Sequence, residues 1–377
     1  MKLLKKILRT CLAVALLVFA VNAFAADEKP VLKYVDALNF RMINKAFSDT
    51  ETPYQRLPKF LKDSVRPDLW SRQQCSSGLG IRFATDSKCV GLRYTLLWDT
   101  HMFHMADTGL KGTDLYILND EGRWEYVNTN RPIADKKSKS CEKVFVENLD
   151  GRMHEYLIYL PLYDGVTKME ISVDEQSTIQ QPLIDNPKVG KKVIMYGTSI
   201  LQGGCSTRTG MVATNMMQRD LNCEVVNLGF SGEGKMDACV ARALASIKEA
   251  GVFVIDPVPN CTEMMCDTLT YGFIKILKDL RPEIPVVMVE GPMYSYAKFD
   301  SFFRSYLPKK NAAFRRNYEK LLKDGYKDIY YVTSEGLSGY DNEGTVDGIH
   351  FTDIGFRRYA DKLIPVVRPL LDMTSPK

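Results

Sequence analysis

The apolar residues of this chain change their period near residue 190, and few folds accommodate such a change. Upstream, from about Val31 to Val173, the chain reads as short strands separated by turns. Examples are Gly80 to Phe83, Leu92 to Trp98, Asp114 to Leu118 and His154 to Leu160. Alternation, β-branched and aromatic enrichment, and turn signals such as Asn119-Asp120-Glu121-Gly122 predict strands of an antiparallel sandwich. Gln176 to Lys188, with Pro182 and Pro187 among polar residues, reads as a linker. Downstream, apolar runs at 193–196, 224–228, 252–255, 286–289 and 329–332 alternate with amphipathic stretches at 211–221, 236–250, 266–280, 311–323 and 353–370. Strands alternating with helices imply a parallel sheet covered on both faces, with ligands bound beyond the carboxyl ends of its strands.

The first 25 residues read differently. Lys2, Lys5, Lys6 and Arg9 precede an apolar run from Cys11 to Val21 and the sequence Ala23-Phe24-Ala25, the pattern of a secretory signal peptide with its cleavage site. The expected division is a leader over 1–25, a sandwich domain over 26–180 and an α/β domain over 181–377, with the mature protein periplasmic or extracellular. The net charge of +4 belongs wholly to the leader: without its four basic residues, 46 basic face 46 acidic side chains. That balance disfavours a nucleic-acid partner, because neutralising phosphates takes a basic excess. No other apolar stretch reaches the ~18 residues that cross a bilayer. Removing Cys11 leaves eight cysteines, an even number that permits disulfides without choosing a pairing. Cys261 and Cys266 have no second pair at zinc-finger spacing, so neither a metal nor a cofactor is expected.

The strand ends carry a constellation. Gly197-Thr198-Ser199 follows the first strand of the α/β half, Asn227 to Gly232 the second, Asp256 to Asn260 the third, and Asp347-Gly348-Ile349-His350 the last. Taken singly, Ser199 reads as a helix cap, Asp347 as a capping aspartate and His350 as a half-buried histidine. Taken together, they provide a nucleophile, a base, an acid to orient the base, and oxyanion donors, all at the ligand-binding edge. His101, His104 and His154 all fall in the sandwich half, so His350 is the single base of the α/β half.

These blocks resemble the GDSL/SGNH hydrolase superfamily, and the whole mature chain is similar to its bacterial two-domain branch. The resemblance rests on Gly112-Thr113-Asp114-Leu115-Tyr116 as the G-x-D-L-Y motif, on Tyr54 to Pro58, on Tyr159 to Val166, and on Tyr196 to Cys205. It implies a flavodoxin-like α/β domain of the SGNH hydrolase fold preceded by a jelly-roll-like β-sandwich. It also implies Ser199 as nucleophile, Asp347 and His350 as the rest of a triad, and Gly232 and Asn260 as oxyanion donors. The residues alone rank neither Gly229 nor Gly232 above the other. The usual G-D-S is G-T-S here, and Val258-Pro259-Asn260-Cys261 replaces the usual G-x-N-D block.

The expected activity is hydrolysis of small acyl esters, O-acetyl groups on carbohydrate above all, so the expected partner is a small-molecule or glycan ester. The competing readings are a lipid-directed acylhydrolase (a lysophospholipase or thioesterase) and a non-catalytic glycan-binding protein. Arg208 is expected to be an exposed helix-start residue or a substrate ligand, and Glu290 a structural neighbour of the site. His101 and His104 are expected to pack within their loop, or else to carry that loop over the cleft.

Overall fold

The computed structural model describes residues 31–185 and 187–374; the expected leader lies outside the described residues. Two antiparallel sheets form the first half, as the alternation predicts. One orders β1 (Leu32–Asp36), β9 (Val166–Asp174), β4 (Val90–Leu96) and β7 (Ser140–Val146). The other orders β10 (Ile179–Gln180), β3 (Gly80–Thr85), β8 (His154–Tyr159), β5 (Asp114–Leu118) and β6 (Trp124–Thr129), with β2 (Arg41–Ile43) also on β3. Between the sheets lies a core that includes Phe83, Leu92, Tyr94, Tyr156, Ile158 and Ile171. Alternate residues of β8, Leu157 and Tyr159, point the other way and are buried too, with Ile43 and Tyr116. The second sheet is therefore covered on both faces, which explains why His154 to Leu160 reads as an almost unbroken apolar run.

What covers that outer face is the second half. Its five parallel strands are ordered β12 (Cys223–Gly229), β11 (Lys188–Gly197), β13 (Ala250–Asp256), β14 (Val286–Val289) and β15 (Ile329–Val332). This is the flavodoxin-like order expected, with strand order reversing at β11, where α/β sheets bind ligands. Alternation splits the strands between two cores. Ile194, Tyr196, Phe253, Ile255 and Met288 face one side, and Val193, Met195, Val252, Val254 and Val287 the other.

Eight α-helices are described: α1 (Pro67–Gln73), α2 (Asp107–Leu110), α3 (Ser199–Gln202), α4 (Ala213–Leu221), α5 (Ala238–Ala245), α6 (Glu263–Leu280), α7 (Ser301–Lys323) and α8 (Asp353–Thr374). Two helix bounds depart from the periodicity by five residues or more. α7 begins ten residues before the expected Asn311, because the Asp300 carboxylate caps the Phe302 and Phe303 amides and the helix runs through Pro308. α8 runs through Pro365 and Pro369, as the 353–370 stretch requires, and ends at Thr374. α5 stops at Ala245 instead of Ala250, because Ala250 is already the first residue of β13. No described helix is long and apolar enough to cross a membrane. All eight described cysteines are free thiols.

Candidate active site

Ser199 opens α3, a single turn that leaves β11 at the point where strand order reverses. The first amides of a helix have no acceptor within it, so the Ser199 N–H is free to face a ligand. The turn closes through Gly203, whose φ of 113° is left-handed; a Cβ there would crowd Leu162 and Val212. The Ser199 carbonyl accepts from the Gly203 and Gly204 amides at 3.1 and 2.8 Å and from the Tyr163 hydroxyl at 3.1 Å.

His350 lies at 2.9 Å from the Ser199 Oγ through Nε2 and at 2.7 Å from Asp347 Oδ2 through Nδ1. The other carboxylate oxygen, Oδ1, accepts from the backbone amides of Ile349 and His350 at 3.0 and 2.8 Å. The spacing of three residues thus folds the loop back on its own aspartate. Gly348, at φ 88°, makes the reversal, and a side chain there would strike Tyr296. Burial acts to raise the Asp347 carboxyl, but the hydrogen bonds from the His350 ring and the two amides outweigh it and hold the group below the usual carboxylate range.

Opposite this relay, two turns meet. The Gly234 amide donates to Asn260 Oδ1 at 3.2 Å, and the Nδ2 hydrogens of Asn260 are unclaimed among the described residues. A Cβ on Gly234 would collide with the Gly197 carbonyl, which seats the turn after β12 directly on the turn that carries Ser199. The structure also separates the two glycines that sequence left level. A side chain at Gly229 would strike Gln202, so that glycine serves packing; Gly232 is exposed at φ 75° with open space around it.

The sandwich half reaches the same place through its motifs. Arg56, buried, donates to the carbonyls of Cys75 and Arg72 in its own half and of Asn227 and Gly229 at the end of β12. Asp114 accepts from Arg208 at 2.7 Å, from the Gly210 amide at 2.8 Å and from Thr129 at 2.7 Å. Tyr116 also accepts from Arg208, at 2.8 Å, and Tyr126 stacks on the guanidinium at 3.9 Å. Arg208 is therefore neither an exposed helix-start residue nor free for a substrate: the G-x-D-L-Y motif holds it. Burial nevertheless lifts the Asp114 carboxyl above its ordinary value.

The two loop histidines part company. His101 is exposed on Asp107, at 2.9 Å, whereas His104 packs edge-on against His350 with ring centroids 5.8 Å apart. Asp164, accepting from the Trp98 and Thr100 amides at 3.0 and 2.8 Å, anchors the start of the loop that brings it there. Glu290 is buried on Arg315, Tyr331 and the Ser334 amide, a structural pin away from Ser199. Tyr163, Arg56 and Gln202, whose Oε1 holds the Ser231 amide at 2.8 Å, are site residues the sequence reading did not single out. All three lay inside motifs already noted, which was the available signal.

Comparisons with known proteins agree with this architecture. The profile of the GDSL-like lipase/acylhydrolase family matches residues 190–368, and that of the GxDLY N-terminus of SGNH-hydrolase-type esterases matches 32–179. A crystal structure from Bacteroides ovatus, named as a GDSL-like lipase, is 30% identical with a TM-score of 0.85, over 91% of this chain and 98% of that one. The salicylyl-acyltransferase SsfX3 of a tetracycline biosynthetic pathway shares the fold at 15% identity and TM-score 0.67, over 89% of this chain and 93% of its own. A family two carbohydrate esterase from Clostridium thermocellum, in complex with cellohexaose, shares it at 12% and 0.56, over 79% and 94%. Among curated proteins, none matches. Two domain profiles in tandem, and a near full-length relative at 30% identity, place the chain in the GDSL-like lipase/acylhydrolase family, in the branch with the N-terminal GxDLY domain.

Proposed function

We propose that this protein is an exported serine esterase that removes small acyl groups, O-acetyl in particular, from carbohydrate. The observation that carries the reading is His350 standing between Ser199 and Asp347, at 2.9 and 2.7 Å, where strand order reverses. His350 takes the Ser199 proton as the oxygen attacks an ester carbonyl, and Asp347 fixes the ring and balances its positive charge. The amides of Ser199 and Gly232 and the Nδ2 group of Asn260 hold the tetrahedral oxyanion. His350 then protonates the leaving alcohol, and a water activated in the same way releases the acid.

The carbohydrate part of the reading draws on fold likeness. Besides the cellohexaose complex, an acetyl xylan esterase (Est2A) from Butyrivibrio proteoclasticus aligns at 11% identity and TM-score 0.56, over 91% of this chain and 99% of that one. Export rests on the leader-like first 25 residues.

The test compares the full chain with Ser199→Ala on nitrophenyl esters of increasing acyl length and on acetylated oligosaccharides. Serine-dependent acetate release that falls steeply beyond two or three carbons is the expected result. Preference for long acyl chains would transfer the assignment to a lipid acylhydrolase. Turnover of neither class, with glycan binding retained, would make the protein a glycan receptor.

A further inference from the structure

His104 and Cys205 take no part in the proposed relay, yet both deliver their side chains to it. His104 comes from the sandwich half, on the loop anchored by Asp164, and its Nδ1 is buried with no hydrogen-bond partner among the described residues. Cys205 follows the Gly203-Gly204 turn with a buried side chain; burial, and the Asp347 charge beside it, push the thiol up to about 12. One ligand atom from each of His104, Cys205, Asp347 and His350 lies within 4.8 Å of all the others. Asp347 leaves one side of the group open to solvent, its side chain 32% exposed.

Two imidazoles, a thiol and a carboxylate form a donor set suited to zinc, which takes nitrogen at ~2.0–2.1 Å, sulfur at ~2.3 Å and carboxylate oxygen at ~2.0–2.2 Å, usually in a tetrahedron. Donor atoms of such a tetrahedron stand roughly 3.3–3.8 Å apart. From 4.8 Å, the cluster has to close by about 1 Å, which rotation of the His104, His350 and Asp347 side chains around the buried Cys205 supplies. We propose that these four residues form a Zn²⁺ site overlapping the relay, and that zinc bound there switches ester hydrolysis off. Binding takes an imidazole lone pair from each histidine and a carboxylate oxygen lone pair from Asp347. The Cys205 S–H bond breaks as the Zn–S bond forms, its proton leaves to solvent, and no electron is transferred. With its imidazole or its orienting carboxylate captured, His350 no longer accepts the Ser199 proton. The inhibition rests on the proposed esterase mechanism; the binding does not.

Calorimetric titration of Zn²⁺ into the full chain separates the two. The expected result is one ion per chain for the native protein and equally for Ser199→Ala, with affinity at least ~tenfold weaker in His104→Phe and in Cys205→Ser. Both substitutions keep the side-chain shape, and thermal unfolding without zinc verifies that each is folded. Native hydrolysis is expected to fall over the zinc range that fills the calorimetric site and to return with EDTA; in His104→Phe the inhibition curve shifts by the same factor as the binding. Absence of zinc binding by the native chain, or binding undiminished in both folded variants, overturns the site. Inhibition that ignores both substitutions overturns the switch. If zinc binds as expected while Ser199→Ala hydrolyses esters like the native chain, the metal site stands and the mechanism falls.

Discussion

The two halves of the molecule meet at Ser199 with opposite kinds of side chain. From the parallel sheet come groups at strand ends that are only partly engaged: the Ser199 hydroxyl on one imidazole, Asn260 tied by its oxygen alone, Gly232 open. From the sandwich, His104 apart, come buried groups whose bonding is spent: Arg56 on four carbonyls, Asp114 on three donors, Asp164 on backbone amides. A polar group with unspent capacity can respond to a substrate. One whose capacity is spent holds a shape, and its removal leaves a buried partner unsatisfied. The division therefore predicts that the first set governs rate and the second stability.

Ser199→Ala is the strongest trial of that division. Turnover is expected to fall by roughly 10⁴–10⁶ with an unfolding temperature within a degree or two of native, measured by ester hydrolysis and calorimetry on one preparation. Asp114→Ala strands Arg208 and the Gly210 amide, and is expected to cost about 2–4 kcal/mol in denaturant unfolding while the folded protein keeps most of its turnover. A rate loss as large as that of an oxyanion donor would erase the distinction between the halves. Asn260→Ala should lower turnover ~10²–10³-fold with little change in stability; a large drop in unfolding temperature would move Asn260 to the structural set.

Asp256 sharpens the comparison, because it is a buried acid of the parallel sheet without a scaffold of donors. Tyr359 donates to its Oδ2 at 2.8 Å and its Oδ1 has no partner among the described residues. Burial pushes the carboxyl up to about 8. A folded value above the unfolded one of ~3.9 means that the folded protein holds the extra proton, so stability is lost as pH rises from about 4 to 8. Asp256→Asn is expected to flatten that slope and to stabilise the protein at pH 8 by about 1–3 kcal/mol, checked by thermal unfolding across the range. A native profile that rises toward pH 8 would show the acid ionised in the fold.

The same division marks what the sequence disclosed. Strands 286–289 and 329–332 were legible to the residue, because a parallel strand buried on both faces is an unbroken apolar run. The Asp347 to His350 loop was legible because its geometry is local, set by three residues and a turn. Arg208 was not, since its partner Asp114 is 94 residues away and nothing in the local pattern names a buried carboxylate. His104 meeting His350 is a contact of the same kind, made by the docking of the two halves. The start of α7 was obscured by Pro308, which argues locally against a helix that its cap at Asp300 and its packing maintain.

The outer face of the second sandwich sheet, with Leu157, Tyr159 and Tyr116, has a consequence for the order of assembly. A chain delivered N-terminus first completes that sheet once Gln180 has emerged, before any strand of the parallel sheet exists to cover it. Until the second half arrives, an aromatic surface and the unpaired charges of Arg56 and Asp114 stand open, the condition in which large proteins misassemble. The N-terminal half then works as a template, and a chain cut short after it should be adhesive where the full one is not.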